Sequence, residues 1–137
     1  MTCWRDVVEE LFKRSEELLF ACPSCSQETA CFENLSGSPP THIKTLDSCC
    51  ACMLENVLEN LHDVERFYST LESGESVAIY RLGDAIVEIT SSSATVVPIH
   101  ELDEYRDLVR AMGCENADEI ESWLQSVSIA RDCAEKP

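Results

Sequence analysis

Apolar residues return every three or four positions from the start of the chain. Trp4, Val7, Val8, Leu11, Phe12, Leu18 and Leu19 fall on one helical face, while Glu9, Glu10, Lys13, Arg14, Glu16 and Glu17 fall on the other. Thr2 stands where a helix cap belongs, and Pro23 ends the run. Residues 26–46 lack this rhythm, and Ser36-Gly-Ser-Pro-Pro-Thr41 marks them as loop. A second helix is predicted from Asp47 or Ser48, with Cys50, Met53, Leu54, Val57, Leu58, Leu61, Val64, Tyr68 and Leu71 as its stripe and Gly74 as its stop. Beyond Gly74 the period changes. Segments 77–82, 85–90 and 95–99 are short runs rich in Val, Ile and Tyr, joined by Gly83-Asp84 and Ser91-Ser-Ser93. They predict a three-stranded antiparallel meander, whose last strand Pro98 places at an edge.

Two further helices close the chain. Leu102, Tyr105, Leu108, Val109 and Met112 line the first, which Gly113 terminates. Asn116 and Glu119 form a capping box for the second, where Ile120, Trp123, Leu124 and Val127 face inward. The expected fold class is therefore α+β, in the order α-α-β-β-β-α-α, as a single domain over residues 1–137. With 137 residues and 45% hydrophobic content, the chain has enough material for a core without disulfides. The first residues lack a signal-type apolar run, and nowhere do about 18 apolar residues follow without interruption. The expectation is a cytoplasmic protein that does not enter a membrane.

The cysteines add chemistry to this outline. Cys22-Pro-Ser-Cys25 and Cys49-Cys-Ala-Cys52 are two C-x-x-C pairs separated by 23 residues. Four thiolates so spaced suit one tetrahedral zinc ion, and a closed four-cysteine site is structural because no coordination position stays open for a reaction. Cys22 and Cys25 fall in the turn after the first helix, and Cys49 and Cys52 in the first turn of the second. Zinc would then pin two antiparallel helices together and close the 26–46 loop. Cys31 is the first substitute ligand and His42 the second, and an iron–sulfur cluster uses the same residues. Reduced intracellular thiols, an odd total of nine and the adjacent pair Cys49-Cys50 all favour metal over a disulfide framework. The competing reading is thiol–disulfide exchange, or redox sensing, at Cys22 and Cys25. That chemistry needs a C-x-x-C between a strand and a helix, whereas a helical pattern precedes Cys22 and Pro39-Pro40 follows closely. No His-x-x-x-His, phosphate loop or nucleophile elbow occurs.

Charge narrows the partners. Twenty-six acidic against ten basic residues give a formal charge of −16, which repels phosphate backbones and attracts basic proteins. The closing pair of helices has the outline of a helix-turn-helix, but Asp118, Glu119 and Glu121 would meet DNA with the wrong sign. The expected function is a non-enzymatic, zinc-stabilised regulatory or inhibitor protein, monomer or homodimer, that binds a basic protein through an acidic helical surface. Its sharpest form is a nucleic-acid mimic of the phage anti-defence type, occupying a groove that otherwise holds DNA or RNA. That form is an analogy at the level of class.

Overall fold

A computed structural model describes residues 3–14, 42–46, 48–83, 85–91, 93–111, 113 and 115–127. Helix α1 (Trp4–Lys13) is followed by strand β1 (Lys44–Leu46) and helix α2 (Ser48–Asn60). Strands β2 (Glu65–Thr70), β3 (Ser76–Arg81), β4 (Ala85–Ile89) and β5 (Ala94–Pro98) come next. A 3-10 turn (Ile99–Glu101) leads into α3 (Leu102–Ala111), and α4 (Ala117–Val127) completes the described elements. The fold class is α+β, as expected, with five antiparallel strands in the order β1-β5-β4-β3-β2.

Two expected features give way here. The second helix stops at Asn60, and the stretch assigned to its far end is strand β2. Val64, Tyr68 and Leu71 share a helical spacing with the true stripe only by coincidence. Arg66-Phe-Tyr-Ser-Thr70 is rich in residues that suit a pleated surface, and pairing with β3 decides the matter. Gly74 accordingly turns a hairpin: it adopts φ 92°, and its N–H donates to the Leu71 carbonyl. Within the expected loop 26–46, the three residues Lys44–Leu46 pair with Ala94–Val96 of β5. That added strand makes β5 internal, which corrects the edge placement read from Pro98. Pro98 is tolerated because β1 reaches only as far as Val96, so nothing in β1 lies opposite it.

Alternation along the strands sorts the core into two. Ala78, Tyr80, Val87, Ile89 and Val96 pack against Trp4, Val7, Leu11, Met53, Leu54 and Leu58 of α1 and α2. Val77, Ile79, Ile86 and Val97 pack against Tyr105, Val109, Ile120 and Leu124 of α3 and α4. The sheet is thus the middle of three layers, and every residue of β4 is buried. On α1, Trp4, Val7, Val8 and Leu11 are buried as expected, while Phe12 is 49% exposed. Leu18, Leu19 and the Thr2 cap lie outside the described residues; Cys3 holds the cap position and makes no side-chain cap bond. On α3, Leu102, Tyr105 and Val109 face the core and Leu108 is 41% exposed.

Arg66 fastens α2 to the sheet. Its Nη2 donates to the carbonyls of Leu58 at 2.6 Å and Leu61 at 3.0 Å, satisfying acceptors that the end of the helix leaves open. The guanidinium lies 5.8 Å from the centre of the Tyr80 ring, and the Tyr80 hydroxyl donates to Glu59. Replacing Arg66 with Ala takes this donor from the Leu61 carbonyl, leaves the Leu58 carbonyl only its bond from the Leu61 N–H, and removes a charge from the negative end of α2. The variant should lose about 2 kcal/mol of stability in urea denaturation. An unchanged midpoint would show that water replaces the guanidinium at no cost.

Candidate functional site

The four expected zinc ligands are only partly described. Cys22 and Cys25 lie outside the described residues, as do the substitute Cys31 and the rest of the 26–41 loop. Cys49 and Cys52 stand in the first turns of α2, as the sequence reading places them; the Cys49 side chain is outside the description. Cys52, with Cys3 and Cys50, is disulfide-bonded in this structure. A disulfide sulfur is not a thiolate ligand, so a zinc clamp through Cys52 belongs to the reduced chain. No cluster of three or more metal-ligating side chains occurs among the described residues. His42, the other substitute ligand, is held elsewhere: its Nδ1 lies 2.7 Å from Glu101 Oε1. Glu101 also accepts from the Ile43 N–H, and the His42 bond, above all, holds its carboxyl below the ordinary range. This contact ties the start of β1 to the turn before α3.

The acidic surface divides. Because α2 lies on one face of the sheet and α3 and α4 on the other, their acids do not merge into the single field that side-by-side helices would give. Residues Asp103, Glu104, Asp107, Glu115, Asp118 and Glu119 on the α3–α4 layer are exposed. Both arginines of this layer are already engaged, Arg106 with Asp103 at 2.7 Å and Arg110 with Glu121 through two parallel bonds. The Arg110 hydrogen bond lowers the Glu121 pKa, and Glu121 in turn raises that of Arg110. Glu104, Asp107, Glu115, Asp118 and Glu119 form no ion pair among the described residues, so their field reaches solvent. The Asn116–Glu119 capping box is replaced by a tertiary contact, in which the Ser69 hydroxyl donates to Asn116 Oδ1 at 2.5 Å.

On the other face, α2 and the sheet diverge and leave an open groove of about 760 Å3. Ala51, Cys52 and Glu55 form its helical wall, and Tyr68, Thr70 and Ala78 its floor. At the Asn60 end of α2, Arg66 joins the helix to β2. Tyr68 is 58% exposed, large for an aromatic residue over a core, and its hydroxyl lies 3.5 Å from Glu59. The helical spacing that Tyr68 shares with Leu61 and Val64 conceals this groove in the sequence. The β-forming run around Tyr68 was the available signal.

A buried acid is the other feature the sequence reading passed over. Glu88 is only 5% exposed, in the α3–α4 face of the central strand, and accepts a 2.6 Å hydrogen bond from the Tyr105 hydroxyl. A lone acid inside Ala85-Ile-Val-Glu-Ile89 was its signal. Burial raises its pKa; the Tyr105 bond opposes that rise, and Glu75 adds to it. Comparison with protein-family models, curated proteins and solved structures finds no match to this chain. No helix among the described residues is long and apolar enough to cross a membrane. Function therefore rests on the chemistry of these surfaces.

Because the folded pKa of Glu88 exceeds the unfolded one, its contribution to stability is full below the unfolded value. That contribution is lost as pH rises through the folded value. Glu88→Gln keeps an acceptor for Tyr105 and removes the charge. Its thermal midpoint should exceed that of the parent at about pH 8 and converge with it near pH 4, read by circular dichroism. A constant gap at both values would show that Glu88 ionises without penalty.

Proposed function

We propose that the chain is a non-enzymatic regulatory module that binds a basic protein partner through the acidic layer of α3 and α4. The observation that carries this reading is the set of five exposed acids that form no ion pair among the described residues, beside two arginines already occupied by Asp103 and Glu121. Among the described residues, the layer holds no further cation to neutralise these acids internally. A basic partner supplies such cations and is steered to the surface by the field. The acids of α2 belong to the opposite face and take no part in this interface. A partner whose basic groove otherwise holds nucleic acid fits the sign and spread of these charges. The test is the double variant Asp118→Lys/Glu119→Lys, together with a salt titration of the complex. Binding should weaken by about tenfold or more in the variant and fall as salt rises. Indifference to both would sink the acidic-layer reading.

The cysteines enter this proposal as its stabilising element. In the reduced chain, Cys22, Cys25, Cys49 and Cys52 hold one structural zinc, with no open position for catalysis. The disulfide state of Cys52, one of these four ligands, supports a second reading, in which oxidation regulates the module. Two ligand thiolates would give two electrons to an oxidant such as a peroxide, which is reduced to water, and form one S–S bond as zinc leaves. Native mass spectrometry of reduced protein should show one zinc per chain, lost in Cys22→Ser and in Cys49→Ser, with peroxide releasing it. A metal-free reduced chain removes the zinc clamp and leaves thiol–disulfide chemistry as the role of these residues.

A further inference from the structure

We propose that the groove between α2 and β2 is a second binding site, which takes an extended, lysine- or arginine-bearing peptide as a sixth strand. The site is separate from the α3–α4 layer and stands or falls independently of it. Its first component is a free sheet edge. β2 ends the strand order, so one of its sides faces no strand among the described residues. The Leu71 N–H donates to Glu75 across the hairpin, whereas the Thr70 carbonyl accepts from the Glu115 N–H on the outer side. In an antiparallel ladder the N–H and C=O of one residue point the same way and alternate along the strand. The backbone groups of Arg66 and Tyr68 therefore point outward with those of Thr70, while residues 65, 67 and 69 face β3. Glu115 already takes the Thr70 carbonyl, so the open part of this edge, from Arg66 to Tyr68, runs about 7 Å.

The second component is the side-chain environment on the same stretch. Arg66, Tyr68 and Thr70 lie opposite Tyr80, Ala78 and Ser76, on the α2 face of the sheet. Peptide side chains pointing to that face would enter the groove, whose size suits them. There they meet the exposed Tyr68 ring, with Glu55 on the facing wall. Glu55 forms no ion pair among the described residues, and Glu59 stands one turn along the same helix. Among the described residues, the cation beside the groove is Arg66, and it is spent on the Leu58 and Leu61 carbonyls and on Glu59. An ammonium or guanidinium between Tyr68 and Glu55 gains a carboxylate and an aromatic face together. An acidic strand would instead meet Glu55 and Glu59 with like charge. Main-chain bonding supplies affinity and the groove supplies selection, as in other strand additions.

The probe is an acetylated, amidated hexapeptide alternating lysine and valine, fluorescein-labelled and followed by anisotropy with the full chain. Saturable binding is expected, weakened about tenfold by Glu55→Lys and by Tyr68→Ser, and unchanged by Asp118→Lys/Glu119→Lys. N-methylation of one alternate set of peptide amides should abolish binding, and methylation of the other set should leave it, because only one edge of the peptide pairs. Amide resonances of Arg66 and Tyr68 should shift most in a nitrogen-15 spectrum, which also reports that each variant is folded. Absence of saturable binding overturns the proposal. So does binding that tolerates both methylated peptides, or that follows Asp118 and Glu119 instead of Glu55; the last result would assign the peptide to the acidic layer.

Discussion

A sheet with a wholly buried central strand must be covered on both faces, and the rest of this molecule follows from that requirement. Strand β4 contributes residues to both cores. The helices that precede the meander cover one face, and those that follow it cover the other. This division keeps the acids of α2 away from those of α3 and α4. The chain's large negative charge therefore becomes two local fields with different surroundings: an open helical layer on one side, and a groove with an aromatic floor on the other. Charge counted from composition predicts attraction to basic partners, but the layering decides where the attraction acts.

Buried polar groups mark where this architecture is under tension. Glu88 sits in the strand that is least able to hydrate it, and Tyr105 from the covering helix meets it. On the opposite face Tyr80 is fully buried, and burial followed by Glu59 raises its phenol well above the ordinary value. Each pair joins a helix to the sheet by a directional bond within an otherwise apolar contact. Such bonds fix the rotation of the helix over the strands, which apolar packing alone leaves loosely specified.

Much of this fold was legible because its periodic segments are bounded by turn residues. The meander strands follow directly from spacing, as do Trp4, Val7, Val8 and Leu11 of α1, Tyr105 and Val109 of α3, and Ile120 and Leu124 of α4, whereas the exposed Phe12 and Leu108 do not. β2 was not legible, because Val64, Tyr68 and Leu71 prolong a helical rhythm past the real end of α2. Only pairing with β3, a long-range contact, removes the ambiguity. β1 was hidden for a related reason: three residues carry no period, and β5 alone makes them a strand. Of the candidate site, cysteine spacing placed Cys49 and Cys52 correctly at the start of α2. It could not reveal the oxidation state of Cys52, because thiolate ligation and disulfide formation draw on the same sulfurs. The groove escaped notice because it arises from divergence between two elements, a property that neither segment encodes by itself.

The two sheet edges show how the fold separates a hazard from a use. β1 is too short to template another chain for long. β2 is twice that length, and its far end is covered: Thr70 accepts from Glu115, and Glu72 donates to the Gly113 carbonyl. Gly113 holds this turn with φ 72°, a backbone region that favours glycine. Among the described residues, what stays open is the stretch at Arg66 and Tyr68, flanked by Glu65 and overlooked by Glu55 and Glu59. An apolar strand arriving there would strip water from these charges without replacing it, so indiscriminate pairing is disfavoured. A basic strand returns the lost hydration as ion pairs. The same charges that guard the edge against aggregation therefore define the chemistry it can accept.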